Sequence, residues 1–325
     1  MIQFISCKDM DCKEAIELGL KEYQWECKVS TQLVTMDLTS TLSSIVNELG
    51  VNPNALAAVD DGILVGYLGF EGPWDGVFGN CKGVFSPLGF HAFGGQDRGK
   101  VASLLFSEVA RCLEEEGVDS FALSCYAHDE EISRSFVLNG FGIRCSDAML
   151  KLSDYQTSLP NPKIQFVELK EKEKEQIHTL FNGLTLHLAA SPCFFPSYLP
   201  NDEKWFANDG KRVFAAKDGS IIIGYMALEE EAENFLTEHE LVTNICGAYV
   251  APEYRSTGVA KLLLDHLVTI AKSEGKEYLG VDCETINPTA LRFWGKYFQN
   301  YTYSYHRRID ERVHHFKDYF NQFYK

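Results

Sequence analysis

LVTNICGAYVAPEYRSTGVAKLLLDHLVTIAKS, residues 241–273, is the most informative segment of this chain. It opens with an apolar, β-branched run that Pro252 ends. This is typical of a buried strand, because proline cannot continue a central ladder. After a short loop, apolar residues recur at positions 259, 262, 263, 267 and 270, the spacing of one face of an amphipathic helix. The segment therefore predicts a strand, a loop and a helix.

The loop between this strand and this helix is suited to holding an anion. The first amides of a helix have no internal partner and lie at the positive end of the helix dipole. They bind a phosphate where small residues let it approach the backbone. Gly258 and Ala260 are such residues, so we expect a phosphate-bearing ligand here.

The spacing Arg255-x-x-Gly258-x-Ala260 resembles the coenzyme A signature of the GNAT acetyltransferase superfamily, Gln/Arg-x-x-Gly-x-Gly/Ala. A second predicted strand, Tyr278–Cys283, precedes the run Asn287–Trp294, NPTALRFW, which is similar to the family's Asn-x-x-Ala-x-x-Phe-Tyr. The resemblance implies an α/β (α+β) fold, in which helices flank a mixed, mostly antiparallel twisted sheet.

The two halves of the chain show the same order of predicted elements. Each contains a hairpin around an Asp-Gly turn, at Asp61-Gly62 and at Asp218-Gly219. Each then has a long helix between two glycines, 18 residues apart in Gly99–Gly117 and 17 apart in Gly258–Gly275. Repetition at about one domain length indicates a duplicated fold. We therefore predict two tandem GNAT-like domains.

The boundary between the domains is placed in Ser153–Pro162, a polar stretch with two prolines. It gives an amino-terminal domain at 1–155 and a carboxy-terminal domain at 163–325. The first copy departs from the family pattern, with Val101 in the place of Gly or Ala and with carboxylates at Asp97 and Asp129. Because these changes lower the affinity for an anion, we expect a degenerate cofactor site in the first domain, which would then be structural or shape the substrate cleft. Solvent-exposed carboxylates without such a role are the alternative.

By resemblance, the second copy binds acetyl-CoA or CoA. Backbone amides at the start of the helix would hold the diphosphate, with an arginine next to it. The end of the strand would offer main-chain groups to the pantetheine and the acetyl carbonyl, and an asparagine would bind the cofactor arm. The residues implied are Tyr249, Val250, Arg255, Ser256, Thr257, Gly258, Val259, Ala260 and Asn287.

The usual catalytic groups of the family are replaced in this chain. The family's glutamate falls at Asn244, which cannot act as a base, and its tyrosine falls at Trp294, whose indole has no transferable proton. The nearest substitutes are Glu240 as the base, directly or through a water, and Tyr297 as the acid. Alternatives are His239 for the base and Tyr301 or Tyr303 for the acid. Packing in the core or at the rim is the other explanation for each tyrosine.

Composition excludes several classes of function. A net charge of −16 argues against a nucleic-acid surface, which needs a basic stripe, and is compatible with attracting a cationic amine. No run approaches the roughly 20 apolar residues of a membrane span. The 10 cysteines form no CxxC pair and the 9 histidines show no ligand-like spacing, so we expect no metal and a cytoplasmic location. A homodimer is left open.

Two further segments carry weaker predictions. Ser191–Trp205, rich in proline and aromatic residues, is either a wall of the acceptor site or a packed loop. The tail Asp310–Lys325 is amphipathic enough for a helix.

Three functions are consistent with these observations. The first is an acetyl-CoA-dependent N-acetyltransferase that acts on a primary amine of a small molecule or a peptide by direct attack on the thioester. The second is a non-catalytic acyl-CoA-binding or regulatory module, which Asn244 and Trp294 would suit. The third is a tandem acyltransferase similar to mycothiol synthase, or to the enzymes that use aminoacyl-tRNA, although the lack of a basic surface disfavours the tRNA version. The sequence does not identify the acceptor.

Overall fold

A computed structural model describes the whole chain except residues 77–78, 159–160, 192–204, 207–209, 232–233, 311 and 313–325. The predictions for the loop at 191–205 and for the tail at 310–325 therefore lie almost entirely outside the described residues. In the part of the chain that is described, no helix is long and apolar enough to cross a membrane.

The described elements alternate between strands and helices in both halves of the chain. The strands are β1 Gln3–Ser6, β2 Ala55–Asp60, β3 Ile63–Gly69, β4 Glu71–Asp75, β5 Lys82–Ser86, β6 His91–Phe93, β7 Val118–Tyr126, β8 Gly142–Lys151, β9 Ile164–Leu169, β10 Arg212–Asp218, β11 Ile221–Glu229, β12 Val242–Val250, β13 Tyr278–Glu284 and β14 Gln299–Arg308. The α-helices are α1 Cys12–Val29, α2 Thr39–Val51, α3 Arg98–Glu115, α4 Glu130–Leu138, α5 His178–Ala189, α6 Val259–Ser273 and α7 Pro288–Trp294. Short 3-10 turns are described at Cys7–Asp9, Leu152–Asp154, Glu171–Ile177 and Pro252–Tyr254.

The strand and the helix predicted from residues 241–273 are confirmed as β12 and α6. The two Asp-Gly hairpins are confirmed as the antiparallel pairs β2–β3 and β10–β11. Both long helices stop before a glycine in the left-handed conformation, Gly117 and Gly275, each with φ of 81°, as expected of a helix C-terminus. Residues 82–93 contain two strands, β5 and β6, because Pro87 follows directly after β5 and ends it.

The chain forms two compact units that differ from the contiguous division at 1–155 and 163–325. One unit contains Met1–Val29, Met36–Arg144 and the described residues from Thr302 onward. The other contains Ser30–Thr35 and Cys145–Tyr301. Most of β8 thus belongs to the second unit, and most of β14 belongs to the first. The sequence analysis identified neither strand, because their mixed polar and apolar residues show no clear alternation.

In the first unit, β1, β2, β3 and β6 form one sheet, in the order β1-β2-β3-β6. Strand β7 pairs in parallel with β5 and antiparallel with β14. Helix α3 buries its apolar face in a core shared with these strands, which includes Leu105, Phe106, Phe121, Phe136 and Tyr305. The local periodicity of apolar residues predicts the position of this helix, and packing on the strands stabilises it.

In the second unit, six strands lie in the order β8-β13-β12-β11-β10-β9. Neighbouring strands are antiparallel except β12 and β13, which are parallel and joined by α6. A parallel pair needs such a crossover. One core contains apolar residues of α6, including Leu263, Leu264, Leu267 and Val268, and a second core lies against α5 around Phe181, Val213 and Tyr225. The sheet of this unit is therefore covered on both faces.

Strands β12 and β13 separate part of the way along their length. Their pairing extends only from Val242↔Tyr278 to Ile245↔Val281, although both strands continue further. At the same level β12 is irregular against β11, because Gly247 pairs with Ala227 and Ile245 pairs with Leu228, which leaves Cys246 as an extra residue. A bulge of this kind bends a strand. The two strands thus open into a notch.

We predict that Gly280→Ala destabilises the second unit. A Cβ atom at this β13 position would lie 2.2 Å from Asn244 Oδ1. The amide of Asn244 cannot easily move, because its Nδ2 donates to the carbonyls of Thr237 and Glu231. We expect a loss of about 1–3 kcal/mol in the free energy of unfolding, as for overpacked cores, measured by denaturant titration. Gly142→Ala is the control, since nothing lies within 4 Å of a Cβ there. Equal stability of both variants and the wild type would contradict the prediction.

Candidate active site

A cavity of about 420 Å³ lies beside the loop that connects β12 to α6. We call it the loop cavity. The structure brings eight of the nine predicted cofactor residues to its wall, namely Tyr249, Val250, Arg255, Ser256, Gly258, Val259, Ala260 and Asn287. The ninth, Thr257, is exposed, and its hydroxyl donates to the carbonyl of Tyr254 at 2.6 Å. A contiguous wall therefore forms from residues up to 38 positions apart in the chain, from Tyr249 to Asn287.

The start of α6 leaves its amides available to a ligand. Gly258, the residue before the helix, has φ of 93°, and no side chain caps this end of the helix. Ser256 also adopts a left-handed conformation, with φ of 63°, which is uncommon for a residue other than glycine and typical of functional loops. Successive amides in such a loop form an anion-binding concavity.

The end of β12 is fixed by side chains around Tyr249. Arg255 donates from Nε to the carbonyl of Val250 at 3.2 Å, and its guanidinium lies 5.0 Å from the centroid of the Tyr249 ring. The Tyr249 ring packs so closely on α5 that a Cβ at Gly183 would lie within 3.0 Å of it. These contacts hold Arg255 beside the loop, with its terminal nitrogens directed to no partner among the described residues.

The far wall of the loop cavity comes from α7 and the residue that follows it. Asn287 caps α7 by accepting from the amide of Ala290 at 3.2 Å, which leaves its Nδ2 group as the donor to a ligand. Trp294 is buried in the core that includes α6. Tyr297 is half-buried, and burial, with a smaller contribution from Asp265, raises the pKa of its phenol. Tyr297 therefore keeps its proton at neutral pH.

The charges around the loop cavity have one sign. Its described lining includes Arg255, Lys261 and Lys296 and contains no aspartate or glutamate, although the chain carries a net charge of −16. Lys261 is paired with Asp265 on the next turn of α6, so part of its charge is neutralised. The remaining field favours an anion. These residues fit a ligand that carries phosphate groups.

The corresponding amides of the first copy are covered by carboxylates of the chain itself. Asp97 accepts from the amide of Lys100 at 3.0 Å, and Glu131 accepts from the amide of Gly99 at 2.9 Å. Asp129, at the position of Asn287, caps α4 and forms an ion pair with Arg98. The start of α3 thus lacks the uncapped amides that α6 presents. Sequence analysis identified Asp97 and Asp129 but missed Glu131, whose side chain reaches the loop only in the fold.

A second cavity, of about 190 Å³, lies where β12 and β13 separate. We call it the acidic cavity. Four carboxylates and one lysine line it, together with residues of β12 and β14: Asp147, Glu229, Glu231, Asp282, Lys211, Asn244, Cys246 and Tyr301. Lys211 forms an ion pair with Glu229. Asp147 and Asp282 occupy directly opposite positions on β8 and β13.

The two predicted catalytic residues have different surroundings. Tyr297 lies in the wall of the loop cavity. Glu240 is exposed before β12, its carbonyl accepts from Lys276 Nζ at 2.9 Å, and it lines neither cavity. Asn244, at the place of the family's glutamate, does line the acidic cavity. Of the alternatives, Tyr301 lines the acidic cavity, whereas the ring of His239 accepts from the amide of Leu241.

Sequence reasoning missed the carboxylates of the acidic cavity. Glu229 and Glu231 stand at the end of a predicted hairpin strand, where a run of three glutamates, 229–231, was the only available signal. Asp147 could not be assigned to this cavity from the sequence, because β8 comes from the first half of the chain and pairs with β13 in the second unit.

Comparison with known proteins gives a family and a fold. Residues 180–298 match the family model described as Acetyltransferase (GNAT) family. Among solved structures, a GCN5-related N-acetyltransferase from Sphaerobacter thermophilus is similar with a TM-score of 0.59 at 12% identity, over 94% of this chain and 95% of that one. A GCN5-related glucosamine N-acetyltransferase region of a fungal multi-domain GH3 β-N-acetylglucosaminidase is similar with a TM-score of 0.50 at 16% identity, over 94% of this chain and 38% of that one. No curated protein matches.

The match to the GNAT family model lies in the carboxy-terminal half of the chain. The structural similarity covers nearly the whole chain, and the fold is that of two tandem GNAT-like domains. The family match and the fold class predicted from the sequence are thus confirmed. The family match supports an acyltransferase activity.

We predict that a charge at the start of α6 abolishes ligand binding. Gly258→Asp places a carboxylate where the uncapped amides would meet a phosphate, and Gly258→Asn is the matched neutral control, because asparagine also tolerates the left-handed conformation. Isothermal calorimetry with CoA should show one site per wild-type chain and at least 10-fold weaker binding for the aspartate variant than for the asparagine variant. Gly99→Asp should bind as the wild type does. Two equal sites per chain, or equal losses at Gly99 and Gly258, would contradict the asymmetry between the copies.

Proposed function

We propose that this protein is an acetyl-CoA-dependent N-acetyltransferase whose carboxy-terminal GNAT domain transfers an acetyl group to a primary amine of a small molecule or a peptide. One observation carries the proposal: the uncapped amides at the start of α6 face a cavity whose described charged side chains are cationic. A phosphate-bearing acyl donor suits that arrangement. When bound, acetyl-CoA supplies an activated thioester, and the rest of the chemistry is left to the side chains of this chain.

The acidic cavity is the proposed site of the acceptor. The cavity sets four carboxylates against one lysine, and Asp147 and Asp282 lie at directly opposite positions on β8 and β13. An ammonium group in the cavity would gain charge-assisted hydrogen bonds to these carboxylates. The charge of the cavity therefore favours a cationic amine over a neutral or an anionic acceptor.

Transfer by direct attack is favoured over an acyl-cysteine intermediate. Cys246 of β12 lines the acidic cavity and would be its candidate nucleophile. Burial, followed by the nearby Glu229, raises the pKa of its thiol to about 12. The thiol is therefore protonated at neutral pH, and only the thiolate is a strong nucleophile.

The ammonium group must lose a proton before it attacks, since an ordinary aliphatic amine is mostly protonated at about pH 7. The carboxylates of the acidic cavity are better placed to accept it than Glu240, the base predicted from the sequence, which lies outside the cavity. Tyr297 remains the proposed acid, because its protonated phenol faces the loop cavity. A thiolate is also a tolerable leaving group without an acid.

One active site per chain is proposed. The carboxylates of Asp97 and Glu131 at the start of α3 support a degenerate cofactor site in the first copy. A cytoplasmic location is proposed from the cysteines, because the nine that the structure describes are all free.

A non-catalytic acyl-CoA-binding module is the second candidate. Asn244 favours it, because its Nδ2 group donates to the carbonyls of Thr237 and Glu231 and an amide cannot take up the proton of an amine. Such a module would bind CoA through the loop cavity and transfer nothing.

Release of free thiol from acetyl-CoA over a panel of acceptors separates the two candidates. The panel contains diamines, amino sugars, amino acid amides and peptides with free amino termini, and a thiol reagent follows the reaction. We expect turnover with at least one cationic amine and none with matched carboxylates. Tight CoA binding without thiol release over the panel would establish the binding module instead.

We predict that Asp282→Asn weakens the binding of the amine and leaves the binding of the cofactor unchanged. The substitution removes one of the four carboxylates of the acidic cavity. It should increase KM for a cationic amine about 10-fold or more, as expected for a hydrogen bond between charged groups. Glu240→Gln is the control that removes an exposed carboxylate outside the cavity. A larger loss of turnover in Glu240→Gln than in Asp282→Asn would restore Glu240 as the base.

A further inference from the structure

Tyr225 is a fully buried residue of β11 whose hydroxyl has no hydrogen-bond partner among the described residues. Its ring is held on the α5 face by Trp205, with centroids 6.3 Å apart, and by the surrounding apolar core. A buried hydroxyl is almost always paired, because leaving it unpaired costs the full desolvation of the group. Phenylalanine would fill the same space without that cost. The hydroxyl therefore needs an explanation.

The hydroxyl lies beside Gly247, at the bulge of β12. A Cβ atom at Gly247 would lie 3.8 Å from Tyr225 Oη and 3.6 Å from the ring, which is ordinary van der Waals contact. Glycine thus leaves room for about one atom next to an unpaired donor.

This position is between the two cavities. Cys246, the residue before Gly247, lines the acidic cavity, and Ala248, the residue after it, lines the loop cavity. Gly247 thus separates the β12 residues that line the two cavities, a position that suits a group passing from a donor in one cavity to an acceptor in the other. Of the three described atoms nearest to a Cβ at Gly247, one is polar, and it is Tyr225 Oη.

We propose that the Tyr225 hydroxyl donates a hydrogen bond to the carbonyl oxygen of the acyl group during transfer. This inference rests on the proposed function. In the reaction, a C–N bond forms between the amine and the carbonyl carbon, and the C–S bond breaks with its electron pair leaving on sulfur. The amine loses one proton to a base, and the thiolate or its solvent takes up one. The carbonyl oxygen carries negative charge in between, and Tyr225 stabilises that charge while keeping its own proton.

The protonation state of Tyr225 suits a donor rather than an acid or a base. Burial, followed by the neighbouring Cys246 and Tyr249, raises the pKa of its phenol. The proton therefore stays on the oxygen throughout the working pH range. A donor that is fixed in place before the reaction begins costs no reorganisation as charge develops.

Tyr225→Phe tests the role of the hydroxyl through two measurements, the melting temperature and the kcat. If the hydroxyl is unpaired until the acyl group binds, the unligated variant should melt at the same temperature as the wild type or higher. Its kcat should fall about 10²- to 10³-fold, as when one such donor is removed, with CoA affinity unchanged. Tyr67→Phe is the control, because that buried hydroxyl in the first unit donates to the carbonyl of Gly89 at 3.3 Å. It should lower the melting temperature and leave kcat unchanged.

A binding measurement tests the same contact without turnover. The wild type should bind acetyl-CoA about 2- to 10-fold more tightly than S-ethyl-CoA, which lacks the carbonyl oxygen, as one hydrogen bond allows. Tyr225→Phe should bind the two ligands equally. If the wild type binds neither ligand, the proposed function is wrong and this inference fails with it. Two outcomes would overturn only the role of Tyr225, provided that the wild type binds both ligands and transfers acetyl groups. In the first, the wild type shows no preference for acetyl-CoA over S-ethyl-CoA. In the second, Tyr225→Phe keeps both the preference and the kcat of the wild type.

Discussion

The separation of two parallel strands is the feature on which the second unit depends. Strands β12 and β13 stop pairing after Ile245 and Val281, so beyond that level the backbone groups on their facing edges are not paired with each other. Unpaired backbone groups must find other partners or a ligand. The notch places the acidic cavity at the point of separation, and the end of β12 and the start of α6 form the wall of the loop cavity.

The two cavities differ in charge although they share one strand. The loop cavity presents uncapped amides and cationic side chains, and the acidic cavity presents four carboxylates with one lysine. A chain with a net charge of −16 repels a polyanion over most of its surface, so the cationic wall defines where such a ligand can bind. The opposite charges suit the two reactants of the proposed amine acylation, and Gly247 lies between the β12 residues that line the two cavities.

The two copies show how a duplicated anion site can be retained or lost. Both long helices begin after a loop with glycine, and both would expose amides in that position. At α6 the preceding Gly258 supplies no side chain, whereas at α3 the amides are bound by Asp97 and Glu131. A carboxylate of the chain competes with a phosphate for the same donors. The two copies thus differ in the partners of equivalent backbone amides: carboxylates of the chain bind them at α3, and no side chain caps them at α6.

The sequence by itself determined the strand, loop and helix of residues 241–273, the duplication and the residues that line the loop cavity, because these depend on local periodicity and on short spacings. It led to Glu240, which is near β12 in sequence but exposed outside both cavities. Only the tertiary structure decided the acidic cavity and the surroundings of Tyr225. Asp147 reaches that cavity because β8 pairs with β13, a contact between residues more than 100 positions apart. Such pairing depends on the packing of whole strands, and no local pattern in the sequence records it.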